Sequence, residues 1–352
     1  MAADKVLLSQ MFDPEGADVY SFRGIFRDRH LLVALPQKKK HALRTLSLYQ
    51  PQSLKARLFI LYVKCLIRVG MMRFLPEVKL GELREEYSEC LGSFGDLGFL
   101  LGNPAAESRK LIAYHYSDGC SLVTKIGVDG KSSMDVLAEY RCLERAAKSI
   151  SGLIVPEQMF CNNEKKLASF TVKWVSGRSP RRQDYGKVCE QLQEWIRAEH
   201  CKLVDLDCWK LVLENSRGGM HEEHVAGLND KVPLTAPIHG DFAPWNIKVG
   251  KGGKVFVLDW ESYQEDGAAG WDWAHYLVQS KLLIDKMHPH EVIETALYWA
   301  KSKKGSDFLI ACGWGEDSMS WLGSYLFYAQ FALNFDREKL IECWKEKVEM
   351  CS

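Results

Sequence analysis

Apolar and polar positions change their period along the 352 residues of this chain, and the change divides it into a strand-rich part and a helix-rich part. Residues 18–36, with V-Y-S-F-R-G-I-F and L-L-V-A-L-P, read as strands joined by the polar turn Arg27-Asp28-Arg29-His30. Residues 111–116 and 121–126 alternate like two further strands across Ser117-Asp118-Gly119-Cys120, and 167–175 reads as another. Between them, Met134, Leu137, Tyr140 and Leu143 recur at helical spacing in 132–149, with Ser132 or Ser133 as cap. An earlier stretch, 51–74, is also helical in pattern, capped by Ser53. From residue 185 onward the helical period dominates, in 185–203, 273–287, 290–301, 319–333 and 338–350.

One short unit interrupts that helical region. Residues 238–261 read I-H-G-D-F-A-P-W-N-I-K-V-G-K-G-G-K-V-F-V-L-D-W-E. Ile247 to Val249 is a β-like run, Gly250 to Gly253 carries turn chemistry, and Lys254 to Leu258 alternates, so the spacing predicts a β-hairpin. With the turn near residues 251 and 252, Asn246 stands opposite residue 257 or 258, and Asp259 emerges one residue rise, roughly 3.4 Å, beyond it. An amide oxygen and a carboxylate then face one point, and hard oxygen ligands of this kind suit Mg²⁺. Asp241, five residues before Asn246, is placed to accept a proton from an attacking hydroxyl while the metal neutralises phosphate charge.

The same letters resemble the catalytic loop of the aminoglycoside phosphotransferase and choline kinase-like families, distant relatives of protein kinases, whose signature is H-G-D-x-x-x-x-N followed by a strand ending in D-W-E. The resemblance implies that Asp241 is the catalytic base, that His239 braces its loop, and that Asn246 and Asp259 hold magnesium. Asp272, in G-W-D-W-A, matches an Asp that tethers the catalytic segment. Upstream, Lys125 in S-L-V-T-K-I-G resembles the strand lysine that reaches the α- and β-phosphates of ATP, and Glu139 resembles the helix glutamate that pairs with it. The phosphate-covering loop falls by position on 97–108, where Gly102 turns and Ser108 offers a hydroxyl, although the G-x-G-x-x-G of protein kinases is absent. Trp174 and Ser176 lie in the segment expected to be the hinge, where adenine meets main-chain groups. The fold class implied is α+β, a protein kinase-like two-lobed fold with a small β-rich N-lobe over 91–178 and a larger helical C-lobe over 179–352.

Residues 1–90 have no counterpart in that resemblance and are expected to form a basic N-terminal extension. Formal net charge is zero, yet no acidic residue occurs between Asp28 and Glu77, while ten lysines and arginines do, among them Arg57, Lys64 and Arg68 on one stripe of the helix near 53–74. Two readings of this helix stay open. It lies on an anionic membrane surface, or grips an anionic glycan or nucleic acid, through residues 29–76; or it packs on the core with its basic edge in water. Eleven cysteines, odd in number and without a C-x-x-C pair, read as free thiols in a reducing compartment, and neither His200, Cys201 and Cys208 nor H-E-E-H at 221–224 has zinc-site spacing. The opening residues lack a secretory pattern, so the expected place is the cytoplasm, at the inner face of the membrane under the first reading of the helix.

The function expected is an ATP- and Mg²⁺-dependent phosphotransferase that moves the γ-phosphate to a hydroxyl of a small molecule or saccharide, including a glycan or lipid-linked sugar. Glu261, Tyr263, Glu265, Asp266, Trp271 and Trp273 are placed by sequence near the acceptor side, as a cage for a cation or a platform for sugar rings, or else as core filler. No specific nucleic acid is expected as partner. The alternative is a catalytically silent kinase-like scaffold acting through a membrane- or nucleic-acid-binding N-terminal extension.

Overall fold

The computed structural model describes residues 2–16, 18–27, 30–51, 53–101, 110–163 and 167–351. These divide into two compact units, 1–141 with 156–175, and 142–155 with 176–352.

The first unit begins with α1 (Ala2–Met11), β1 (Phe12–Asp13), β2 (Tyr20–Arg27), β3 (His30–Leu35), α2 (Lys39–Leu46) and α3 (Leu54–Arg68). It continues with β4 (Glu77–Leu80), β5 (Glu82–Leu83), α4 (Glu85–Leu91), β6 (Asp96–Leu100), β7 (Lys110–Ser117), β8 (Cys120–Gly127), the start of α5 (Gly130–Ser149), β9 (Gln158–Asn162) and β10 (Ser169–Lys173). Eight of the strands form one antiparallel sheet, ordered β4-β2-β3-β6-β7-β8-β10-β9. This corrects the expected division at residues 90 and 91: β4, β2 and β3 are the edge and flank of the same sheet, joined to β6 through Val33↔Leu100 and Ala34↔Phe99. Alternation along β3 places these strands between two layers, and the register shift opposite Ile25 and Phe26, which leaves Leu32 over, puts Leu31 on the face of Ala34 and not on that of Val33. Leu31 and Ala34 join a cluster with Leu7 and Met11 of α1 and Tyr87 and Leu91 of α4. Val33 and Leu35 join a second cluster with Ala42 and Leu46 of α2 and Ile60, Val63, Leu66 and Ile67 of α3. The N-terminal segment therefore contributes both the sheet edge and its cover.

The helix read from residue 132 begins two residues earlier, and its cap is Asp129. The Asp129 carboxylate accepts from Ser132 N–H at 2.7 Å, while Ser132 Oγ accepts from Val128 N–H at 2.9 Å, so each satisfies a donor left over at the helix start. Its buried face is Val136, Glu139, Leu143 and Ala146, whereas Met134, expected on that face, is exposed.

The second unit carries the remaining helices, two short strand pairs and two isolated bridges, Arg178 to Val249 and His200 to Leu234. Its elements are α6 (Tyr185–Gln193), α7 (Asp207–Ser216), α8 (Glu222–Ala226), β11 (Thr235–Ile238), β12 (Ile247–Val249), β13 (Val255–Val257), β14 (Gln264–Ala268), α9 (Trp271–Gln279), α10 (Pro289–Lys301), α11 (Lys303–Ala311), α12 (Ser318–Phe331) and α13 (Glu338–Cys351). β11 pairs with β14 and β12 with β13, both antiparallel. The helical core is aromatic: Trp271 stacks on Tyr328 at 4.4 Å between ring centres and Trp273 on Tyr276 at 5.0 Å. The α+β class expected from the sequence thus stands, a β-sheet first and a largely helical part after it.

Candidate active site

The hairpin of the second unit has the register read from its sequence. Ile247 pairs with Val257, and Leu258 N–H donates to Asn246 O at 2.8 Å, so Asn246 stands across from Leu258 and Asp259 follows directly. Asp259 has φ +66°, a left-handed backbone in which Asp and Asn are enriched among non-glycine residues. That turn takes the chain out of the strand at Asp259.

The loop entering the hairpin is held by three sets of hydrogen bonds. Asp272, in the first turn of α9, accepts from His239 N–H at 2.7 Å and from Gly240 N–H at 3.1 Å. Burial of this carboxyl pushes its pKa up to about 7, against the opposing pull of those two donors. His239 is fully buried; its Nδ1 accepts from Asp241 N–H at 3.2 Å, which leaves the proton on Nε2 to donate to Leu258 O at 2.8 Å. Burial lowers the pKa of this ring, consistent with the neutral tautomer that the two bonds require. His239 therefore ties the loop to the strand end that carries Asp259. Gly240 has φ +84°, and a Cβ there would meet Ser262 Cβ and O at 2.6 Å, so only glycine fits.

The product of this bracing is a fixed Asp241 carboxylate. Its Oδ2 accepts from Asn246 Nδ2 at 2.8 Å, and its Oδ1 accepts from His275 Nε2 at 3.0 Å. Asn246 Nδ2 also donates to Asp241 O at 2.9 Å, so the amide nitrogen faces Asp241 and the amide oxygen is turned the other way. The Asp241 side chain is 23 % exposed. A carboxylate has about four acceptor sites, and two donors leave room for a further one from outside.

Sequence reasoning missed His275 and Tyr325. His275 Nδ1 lies 3.2 Å from Tyr325 Oη, and burial lowers the pKa of the imidazole. In the neutral ring Nε2–H donates to Asp241, so Nδ1 accepts from the Tyr325 hydroxyl. The donors thus run in one direction, from Tyr325 through His275 to Asp241. The hint in the sequence was one histidine three residues after Asp272, on α9.

The first unit holds the other predicted pair. Alternation on β8 buries Leu122, Thr124 and Ile126 and turns Lys125 to the opposite face. There Lys125 is ion-paired with Glu139, which is 2 % exposed, and Lys110 Nζ lies 3.4 Å from the other carboxylate oxygen. Lys110 was not anticipated. The chain crosses from the first unit to the second after Val175, within the expected hinge. Trp174 uses its side chain inside the first unit, donating from Nε1 to Ser47 Oγ at 3.1 Å with the Arg44 guanidinium 4.9 Å over its ring. Ser176 is exposed at the start of the second unit. Gly102 and Ser108 lie outside the described residues.

The acceptor-side expectation divides. Trp271, Trp273 and Tyr263 are core residues, Tyr263 being bonded to Ser149 at 2.6 Å, whereas Glu261, Glu265 and Asp266 are exposed and Asp266 pairs with Arg197.

No protein-family model matches the chain, and no curated protein matches it. Among solved structures it is similar to an aminoglycoside-3'-phosphotransferase of type VIII, with 18% identity over 70% of this chain and 100% of that one and a TM-score of 0.43. It is also similar to choline kinase LicA from Streptococcus pneumoniae, with 14% identity, 75% and 96% of the two chains covered and a TM-score of 0.38. A spectinomycin phosphotransferase in complex with ADP and spectinomycin matches with 13% identity, 74% and 90% coverage and a TM-score of 0.37. Structural matches to aminoglycoside phosphotransferases and choline kinase thus run across most of the chain.

Proposed function

We propose that this protein is an ATP- and Mg²⁺-dependent phosphotransferase acting on a hydroxyl of a small molecule or saccharide. The observation that carries the reading is the Asp241 carboxylate, aimed by Asn246 and His275 on a loop whose backbone is tied to Asp272 and whose His239 is tied to the strand end before Asp259. So much positioning of one partly exposed carboxylate is what a general base for phosphoryl transfer requires, since catalysis there is orientation plus charge neutralisation. Asp241 takes the proton of the attacking hydroxyl. The donor set of Asn246 Oδ1 and the Asp259 carboxylate fits a hard divalent cation that keeps waters and phosphate oxygens as its other ligands. Magnesium bound there would neutralise charge on the phosphates. Lys125, oriented by Glu139, would meet the α- and β-phosphates, and backbone groups at 174–177 would meet adenine. Gly102 and Ser108 keep their proposed place in the loop over the phosphates.

On the acceptor side stand the exposed acids Glu261, Glu265 and Asp266, while the two tryptophans, being buried, take no part. Those acids favour an acceptor with cationic or hydroxyl groups. Cytoplasmic localisation belongs to this proposal, as ATP is its substrate.

The test is a thermal-shift titration with ATP, with and without Mg²⁺, on wild type, Asp241→Asn and Asp259→Ala. Ligand at about 100 times its Kd stabilises by roughly 2.7 kcal/mol, a shift of several degrees. The expected result is a Mg²⁺-dependent shift that Asp241→Asn keeps and Asp259→Ala loses, followed by phosphoryl transfer that Asp241→Asn abolishes in an acceptor screen. A shift without turnover on any hydroxyl acceptor or water leaves the scaffold reading, and no shift at all overturns the nucleotide site.

A further inference from the structure

The helix α3 is apolar on two opposite sides. At about 100° per residue, Ile60, Val63, Leu66 and Ile67 fall on one side, and these are the residues buried against α2 and β3. Leu54, Leu58, Leu61, Tyr62 and Val69 fall on the other within an arc of about 100°. All five are between 54 and 72% exposed. Docking on the core accounts for the first side and gives no reason for the second.

Charge borders the exposed arc. Arg57, Lys64 and Arg68 form a row on one edge and Lys55 stands on the other, and residues 29–76 contain no aspartate or glutamate. We infer that the outer face of α3 docks on an anionic phospholipid bilayer, with the leucine, valine and tyrosine side chains entering the headgroup boundary and the basic rows meeting lipid phosphates. A single convex helix with an apolar strip and cationic borders is the arrangement of an interfacial helix, whose long basic side chains reach up to the headgroups while their stems stay with the apolar strip. The helix runs 15 residues, about 22 Å, and no helix of the described residues is long and apolar enough to cross a membrane. A second copy of the chain is the poorer occupant, because two such faces meeting would bring basic rows together with no acid in 29–76 to pair them. Nothing in this inference depends on the phosphotransferase reading.

Vesicle co-sedimentation of the full chain tests it. Vesicles of phosphatidylcholine alone are compared with vesicles holding about 30% phosphatidylglycerol, at low and high salt, for wild type, Leu58→Ser/Leu61→Ser and Arg57→Gln/Arg68→Gln. The expected result is binding to anionic vesicles that exceeds binding to neutral ones by about tenfold or more, and that falls at high salt. The leucine pair should lower it by about tenfold and the arginine pair should remove the anionic preference. Since all four side chains face solvent, the melting temperature should not move, which separates lost docking from lost folding. Equal binding to neutral and anionic vesicles, binding unchanged in the leucine pair, or a wild-type dimer that the leucine pair converts to monomer would each overturn the proposal, the last by giving the face to a second copy.

Discussion

His275→Leu removes the donor behind the proposed base while keeping an apolar side chain of similar bulk against Phe335, whose ring centre lies 5.1 Å from the imidazole. The lost bond is Nε2–H to Asp241 Oδ1 at 3.0 Å, a bond to a carboxylate, of a kind that contributes about 1.5–3 kcal/mol. Asp241 is 23 % exposed, so water can occupy part of the vacated position, which puts the loss near the lower end, about 1.5–2 kcal/mol. At 1.36 kcal/mol per tenfold, kcat should fall roughly 10- to 30-fold. The KM for Mg·ATP should move little, because Asp241 is assigned to the acceptor hydroxyl. The assay is turnover of Mg·ATP on the best acceptor from the screen, or on water. His275→Gln is the control that decides cause, since the Gln amide can place N–H where Nε2–H was and should recover most of kcat. The leucine variant also strands the buried Tyr325 hydroxyl, so its melting temperature should drop, and adding Tyr325→Phe should restore stability without restoring rate. A leucine variant with wild-type kcat would refute the reasoning. So would a glutamine variant as slow as leucine, which would assign the loss to packing.

Three further outcomes follow from the same contacts. Asp272→Ala leaves His239 N–H and Gly240 N–H buried without their acceptor, and chemical denaturation should report a loss of about 2–5 kcal/mol; a loss under 1 kcal/mol would remove Asp272 as the tether. Glu139→Ala leaves Lys110 and Lys125 without their shared buried partner, and should cost about 3 kcal/mol of stability together with a raised KM for ATP; an unchanged KM would detach Lys125 from the nucleotide. Lys248 is buried on β12, and burial lowers its pKa from 10.5 to about 8. Its charged form is therefore the unfavourable one in the fold, a cost fully present below about pH 8 that disappears as pH rises towards 10.5. Lys248→Met should be more stable than wild type by up to about 3 kcal/mol at pH 7, with the gap closing near pH 10.5; a gap independent of pH would contradict the titration.

The hairpin was legible from local letters because its register is local. A Gly-Gly turn and a period of two on both arms leave one pairing, and Asn246 and Asp259 follow from it. The strand lysine and the helix glutamate were legible for a related reason, since β8 and α5 follow one another and the pair is 14 residues apart. Where the reading failed, the deciding contact was distant or the signal was compositional. The basic stretch ahead of Glu77 suggests a separate extension, but charge on solvent-facing positions says nothing about strand pairing, and Ser21 of β2 meets Glu77 of β4 across 56 residues. Trp271 and Trp273 stand close in sequence to the D-W-E end of the hairpin, yet the first turn of α9 is buried throughout, so proximity along the chain gave the wrong direction.

The same distinction separates the proposed base and its near neighbour from the groups that aim it. Asp241 and Asn246 are five residues apart and recognisable together, whereas His275 reaches Asp241 across 34 residues and Tyr325 reaches His275 across a further 50. No short motif can encode a contact of that span, because it exists only once α9 and α12 have packed. The packing is aromatic and close, Trp271 on α9 donating to Ser324 Oγ on α12 at 3.0 Å, so the helices that carry the relay are held by groups taking no part in it. The consequence is that a substitution at the α9 to α12 contact should alter the rate through the aim of Asp241 even though it touches neither nucleotide nor acceptor. Trp271→Phe, which deletes that bond and keeps most of the ring packing, is the variant in which a rate loss larger than the stability loss would expose this coupling, and a rate that merely follows the folded fraction would deny it.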